Sequence, residues 1–280
     1  MIMLFGAHVS AAGGAVNAPV NAKKICCEVF QFFSRPPQGG AAPALTPAVI
    51  KSFQEAMKQC GQKEAYIHTP YYINLASAKS SICYGSIKVI REELERASLL
   101  GAKYVMTHLG SANDLPQGQA IKKVIEGIIK IFADYRGAAM LLIENSAGSG
   151  DIIGDEFEEI IQIIRLSKKE LGVCLDTCHA FASGYDLRNK KSVDETLKKF
   201  DKIIGLEKLK LIHLNDSKTE LGSRKDRHEH IGQGKIGLDG FRELVHHPKL
   251  KNINMILETP DDERGNQRSD LEIIKELRSK

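Results

Sequence analysis

Three residues able to grip a divalent ion, His213, Asp226 and His228, fall within one stretch, LIHLNDSKTELGSRKDRHEHIGQGKIG (Leu211–Gly237). Alternate residues of an extended segment point to the same side, so Asp226-x-His228 can offer one carboxylate and one imidazole to a single ion. Taken alone, such a tripeptide reads as readily as a hydrophilic loop. A second dense element is Asp176-Thr177-Cys178-His179, where Asp176 ends an apolar run and His179 follows three residues on. Its two ligands suit two neighbouring ions. Cys174 and Cys178 alternate with these positions, and a thiolate binds zinc well. The nitrogen and oxygen ligands already suffice, so both cysteines read as buried thiols.

What must position these residues is a repeated strand and helix. Apolar, β-rich runs recur at Met3–Ala7, Glu28–Phe33, Ala65–Ile67, Tyr104–Thr107, Met140–Ile143, Val173–Leu175, Leu209–Leu214 and Asn254–Leu257. Between most of them lies a segment of helical period: Pro47–Cys60, Ser86–Leu100, Gln119–Tyr135, Asp155–Lys169, Val193–Ile204 and Ser269–Leu277. This alternation predicts an α/β fold, a single (β/α)₈ TIM barrel spanning residues 1–280. Seven of the eight runs end in a potential ligand: His8, His68, His108, Glu144, Asp176, His213 and Glu258. On a barrel those ends share one face and converge on one centre. An open doubly wound sheet has the same alternation but separates its first and last strands, and leaves such endings unexplained.

The ligand set expected at that face is His68, His108, Glu144, Asp176, His179, His213, Asp226, His228 and Glu258. Five imidazoles and four carboxylates are enough for three ions with open positions, and zinc or manganese accepts both donor types. At 42% apolar and 26% charged residues the composition is that of a soluble enzyme with no membrane span. No secretion signal is visible, and six cysteines in no secreted-scaffold spacing fit reduced thiols in the cytoplasm. A net charge of +4 is too mild to demonstrate a nucleic-acid partner by itself.

Five blocks carry a family resemblance. They are GAHVSAAGG (Gly6–Gly14), HTPYYINL (His68–Leu75), GVCLDTCH (Gly172–His179), IHLNDSKTELGSRKDRH (Ile212–His228) and ETP (Glu258–Pro260). Together they resemble the signature blocks of endonuclease IV, the metal-dependent apurinic/apyrimidinic endonucleases of DNA repair. The resemblance implies a first zinc on His68, His108 and Glu144, with Glu144 bridging to a second on Asp176, His213 and Glu258. It implies a third zinc on His179, Asp226 and His228, with manganese acceptable in place of zinc. Glu144 and Glu258 would be the catalytic carboxylates nearest the attacking water. The partner would be double-stranded DNA containing abasic sites, cut 5′ to the lesion to leave a 3′-hydroxyl and a 5′-deoxyribose phosphate by a monomeric enzyme.

One block departs from the family. The loop after the second strand, where the family presents an Arg and a Trp to DNA, reads SRPPQGG (Ser34–Gly40), and the chain has no Trp. Arg35, Tyr71 and Tyr72 are the DNA contacts expected in their place. Two other functions compete: a xylose-isomerase-like sugar isomerase or epimerase using Glu144, Asp176, His213 and Glu258 around one metal, and a non-catalytic, metal-stabilised DNA-binding protein. A one-metal isomerase has no use for His179 together with Asp226-x-His228.

Overall fold

The computed structural model describes residues 3–113 and 115–280. Eight parallel strands, β1 (Phe5–His8), β2 (Val29–Phe32), β3 (Ala65–His68), β4 (Tyr104–Thr107), β5 (Met140–Glu144), β6 (Gly172–Asp176), β7 (Leu209–His213) and β10 (Asn254–Leu257), close into one barrel. The closing seam pairs Phe5 with Met255 and Ala7 with Leu257, so the first and last strands are neighbours and the open-sheet alternative is excluded. A two-stranded antiparallel ladder, β8 (Asp216–Ser217) with β9 (His228–Glu229), lies outside the barrel within the long segment after β7.

The outer helices are α1 (Asn17–Lys24), α2 (Pro47–Cys60), α3 (Ser80–Leu100), α4 (Gln117–Ile131), α5 (Phe157–Ser167), α6 (Thr177–Ala182), α7 (Lys190–Ile203), α8 (Gly237–His246) and α9 (Gln267–Ser279). Local chemistry sets their ends. Thr46 caps α2 by accepting from the Val49 amide, Pro47 fits its first turn, and Gly61 closes it at φ 70°. Asn189 with Ser192, and Asn266 with Ser269, form capping boxes that start α7 and α9. Helices α1, α6 and α8 were not anticipated from periodicity. In α6 the reason is plain: all six of its residues are buried, so it has no polar face to alternate with an apolar one.

Strand periodicity builds the site. An inward layer of Val29, Tyr66, Met106, Leu142, Cys174, Leu211 and Ile256 plugs the barrel with buried apolar side chains. Side chains of a strand return to the same face every second residue. Two positions further along each chain, the same inward columns carry Gln31, His68, His108, Glu144, Asp176, His213 and Glu258. The apolar plug is thus the floor of a polar ring at the strands' C-terminal ends. On β1 the corresponding pair is Gly6 and His8, and only glycine fits at Gly6, where a Cβ would lie 1.8 Å from the Val29 carbonyl oxygen.

Candidate metal centre

Ligand atoms from the two richest sequence elements and from the strand ends meet above this floor. His68, His108 and Glu144 form one group; Glu144, Asp176, His213 and Glu258 a second; His179, Asp226 and His228 a third. Within each group the candidate ligand atoms all lie within 4.8 Å of one another. Glu144 joins two of them. Its Oε2 lies 3.0 Å from His68 Nε2 and 3.6 Å from His108 Nε2, while its Oε1 lies 3.1 Å from His213 Nδ1 and 3.3 Å from His179 Nδ1. In the third group, His179 Nε2 is 3.2 Å from Asp226 Oδ2 and His228 Nε2 is 3.4 Å from Asp226 Oδ1.

The donor set fits divalent ions. Most of the imidazoles have one nitrogen tied to an oxygen behind them and the other facing carboxylates, the arrangement that orients a metal-binding histidine. His68 Nδ1 donates to the Thr69 carbonyl (2.6 Å), His179 Nδ1 to that of Asn145 (3.1 Å) and His228 Nδ1 to that of Glu258 (3.1 Å). The Nε2 atoms of His179 and His228 face each other at 3.4 Å, and in the neutral rings their two lone pairs would be reconciled by a cation between them. His108 Nδ1 is buried with no partner among the described residues.

Electrostatics run the same way. Burial works against the Glu144 carboxylate, yet His108 and His213, with hydrogen bonds from His179 and His213, hold its pKa well below the usual range. Burial also works against Asp226, and the His179 contact overrides it, bringing that carboxyl down to about 2. Conversely, burial disfavours charge on His213, but Cys174, Glu258 and Glu144 beside it hold the imidazole well above its ordinary value. His179 is likewise raised against its burial, by Asp176 and Asp226. Protons are therefore held on His213 and His179 in the metal-free protein and are displaced when ions bind, whereas burial pulls His108 below its ordinary value.

These pairings make the stability of the metal-free protein depend on pH. The raised histidines contribute stability that is complete below their unfolded value of 6.5 and is lost as pH rises through their higher folded values. The depressed carboxylates contribute stability present above the ordinary carboxylate range and lost as pH falls through their folded values. The melting temperature without metal falls as pH is raised from about 6 to about 9, and metal loading flattens that fall. A metal-free melting temperature that climbs across the same interval contradicts these pairings.

The elements explain the placement. Asp176 ends β6 and caps α6, accepting the His179 amide at 2.7 Å, which fixes His179 one turn outward. The β8–β9 ladder sets Ser217 against His228 and so brings the Asp226-x-His228 segment back over the barrel mouth. Asp216 secures the turn beyond it by accepting from the amides of Gly232, Gly234 and Ile236, with Gly234 packed so closely that a Cβ would lie 2.5 Å from the carboxylate. Cys174 and Cys178 are buried thiols, each pushed up to about 12 by burial.

Several supporting residues escaped the sequence reading. Asn145 and Asn215 tie the strand ends together: Asn145 accepts the Asp176 amide, and Asn215 donates to Asp176 Oδ2 and accepts the Glu258 amide. Buried His230 bonds Asp270 at 2.8 Å and Asp262 at 3.1 Å, anchoring the segment beyond Glu258. Amides beside a ligand carry no distinctive spacing, so nothing marked Asn145 or Asn215 in advance.

The residues expected to meet DNA divide. Tyr71 and Tyr72 stand at the rim of a cavity of about 690 Å³ that opens over the ligand groups, 69% and 40% exposed, with Tyr71 edge-on to Phe33. Arg35 differs from them: it is 6% exposed, and its guanidinium binds Glu93 at 2.5 Å and Glu92 at 2.7 Å. Glu93 is fully buried and also receives the Ser34 hydroxyl, so Arg35 bolts the loop after β2 to α3. Arg35→Ala leaves that carboxylate without its main partner and costs about 3 kcal/mol in a denaturant titration, whereas an unchanged midpoint would show the pair to be dispensable.

A closed parallel barrel with imidazoles and carboxylates ringing its C-terminal mouth defines the class: a TIM-barrel enzyme with a metal-type centre. Residues 20–277 match the family described as xylose isomerase-like TIM barrel. The chain is 40% identical over 278 residues to a probable endonuclease 4 of Halothermothrix orenii, covering 99% of each, and 39% identical over 279 residues to one of Methanoculleus marisnigri, again covering 99% of each. It superposes on the crystal structure of endonuclease IV from Thermus thermophilus with a TM-score of 0.86 at 35% identity, over 98% of both chains. The chain belongs to the endonuclease IV family and is a nuclease. A D-tagatose 3-epimerase-like protein, 20% identical with a TM-score of 0.70 over 98% of this chain and 97% of its own, shares the fold. No helix among the described residues is long and apolar enough to cross a membrane.

Proposed function

We propose that this protein is a DNA-repair endonuclease that hydrolyses the phosphodiester 5′ to an abasic site in duplex DNA, leaving a 3′-hydroxyl and a 5′-deoxyribose phosphate. It acts in the cytoplasm as a monomeric, single-domain barrel holding three zinc ions, with manganese accepted in their place. The observation that carries the reading is Glu144, whose two oxygens face separate histidine sets, as a carboxylate bridging two ions must.

His68 and His108 with Glu144 would hold the first ion; Asp176, His213 and Glu258, with the other oxygen of Glu144, the second; His179, Asp226 and His228 the third. Bound there, divalent ions supply Lewis acidity: a more acidic water and neutralised charge on the phosphate and the departing 3′-oxygen. Glu258 is the ring carboxylate that reaches the cavity, and with Glu144 it places negative charge beside the incoming water. Tyr71 and Tyr72 wedge into the duplex at the rim, helping the abasic sugar leave the stack and enter the cavity.

Metal analysis of the purified protein tests the proposal against a one-metal sugar isomerase. About three ions per chain are expected, because His179, Asp226 and His228 form a group apart from the four-residue isomerase-type set. A count near one, with turnover of a ketose or aldose, would replace the nuclease mechanism by the isomerase one. Binding of abasic duplex without incision, metals present, would leave only a DNA-binding protein.

A further inference from the structure

Seven of the eight barrel strands bring a possible ligand to the ring, and β2 brings an amide. Gln31 occupies the inward position two residues beyond Val29, is completely buried, and contacts three members of the ring. Its Oε1 lies 2.8 Å from His213 Nε2. Its Nε2 lies 2.6 Å from Glu258 Oε1 and 2.9 Å from His8 Nδ1.

These contacts admit one assignment of hydrogens. A carboxylate accepts only, so the Gln31 amide nitrogen must face Glu258 and its oxygen must face His213. The oxygen then requires a proton on His213 Nε2. In the neutral ring that a metal ligand must be, this leaves Nδ1, which faces Glu144 Oε1 (3.1 Å) and Glu258 Oε2 (3.3 Å), as the nitrogen free for the second ion; without metal the same nitrogen carries the proton shared with those carboxylates. The remaining amide hydrogen goes to His8 Nδ1, which places the His8 proton on Nε2 and leaves the His8 ring a neutral support. His8 Nδ1 also lies 3.4 Å from Glu258 Oε1, so this nitrogen is occupied by the Gln31–Glu258 pair, and Nε2 is buried with no hydrogen-bond partner among the described residues.

We propose that Gln31 is a positioning residue for the second metal: it fixes the tautomer of His213 and, through the same amide, the orientation of Glu258. The other ligand histidines with a tied nitrogen, His68, His179 and His228, take their tautomer from backbone carbonyls, which mutation cannot remove; His213 takes its tautomer from a side chain. This inference rests on the metal-centre reading above but not on the number of ions, because His213 and Glu258 share an ion in both the three-metal and the one-metal schemes.

Two variants of nearly the same volume test it. Gln31→Met removes every hydrogen bond of the amide; Gln31→Glu keeps an acceptor for His213 Nε2–H but faces Glu258 with a like charge. Metal retention is measured by dialysis of each loaded protein against graded chelator, together with the ¹⁵N shifts of the His213 ring. Gln31→Met is expected to lose one ion at roughly 10- to 100-fold lower chelator strength, the usual effect of removing an outer partner of a metal ligand. The His213 signals should then report a mixed tautomer. Gln31→Glu should weaken the same ion while keeping the Nε2–H signal, a split that a merely structural role would not produce. Wild-type retention and an unchanged His213 tautomer in Gln31→Met overturn the proposal; should that variant not fold, the same wild-type pattern in Gln31→Glu overturns it. A wild-type count near one ion overturns the three-metal reading alone, and the Gln31 comparison still decides this one.

Discussion

Glu144→Gln lowers incision of an abasic duplex by at least about 100-fold, the scale on which loss of metal ligation or of general-base assistance usually falls. The substitution changes one oxygen to an amide nitrogen and removes a charge. That charge sits on a side chain whose two oxygens separately face the His68–His108 pair and the His213–His179 pair. An amide offers one acceptor and one donor, so it satisfies one side and repels the other. The barrel itself should survive, because Leu142 and the rest of the apolar plug are untouched. Steady-state incision alongside metal analysis reads both effects. A variant that cuts at near wild-type rate with its full metal content would mean that Glu144 does not bridge.

The product is expected to carry a 3′-hydroxyl that a polymerase extends directly, and borohydride is expected to trap no covalent protein–DNA adduct. A lyase cutting at an abasic site needs an amine to form a Schiff base with the sugar aldehyde, and that imine is what borohydride fixes. Among the described residues, those lining the cavity include His8, His68, His108, His179, His228, Asp226 and Glu258, and no lysine. Carboxylates and imidazoles bind cations and position water; they do not make a stable imine. The expected difference is between complete extension of the product and none, since the unsaturated aldehyde left by elimination blocks a polymerase. End-group analysis on a defined duplex decides it, and an unsaturated 3′ end would refute the hydrolytic mechanism.

The order of these elements and the chemistry at their ends were legible in the sequence because both rest on local rules. Apolar runs of strand length at regular intervals specify a barrel. Parity along a strand places Glu144 two residues after Leu142, and His213 two after Leu211, on the same face. What depends on long-range closure was not legible. Gln31 was invisible as a site residue because a glutamine in an apolar run has no ligand chemistry of its own; its meaning comes from Glu258, His213 and His8, each brought beside it by the closed barrel. The pairing of Arg35 was hidden for a related reason: a cation in a loop looks free until the fold sets Glu93 of α3 beneath it. The sequence alone determined which strand residues face the barrel mouth, since periodicity is a property of the single chain, whereas the β8–β9 pairing brings Asp226 and His228 there. Which nitrogen of His179, His213 and His228 is left open, and which charges are already paired, was decided only by tertiary structure, because their hydrogen-bond partners lie 34, 182 and 30 residues away and leave no trace in local spacing.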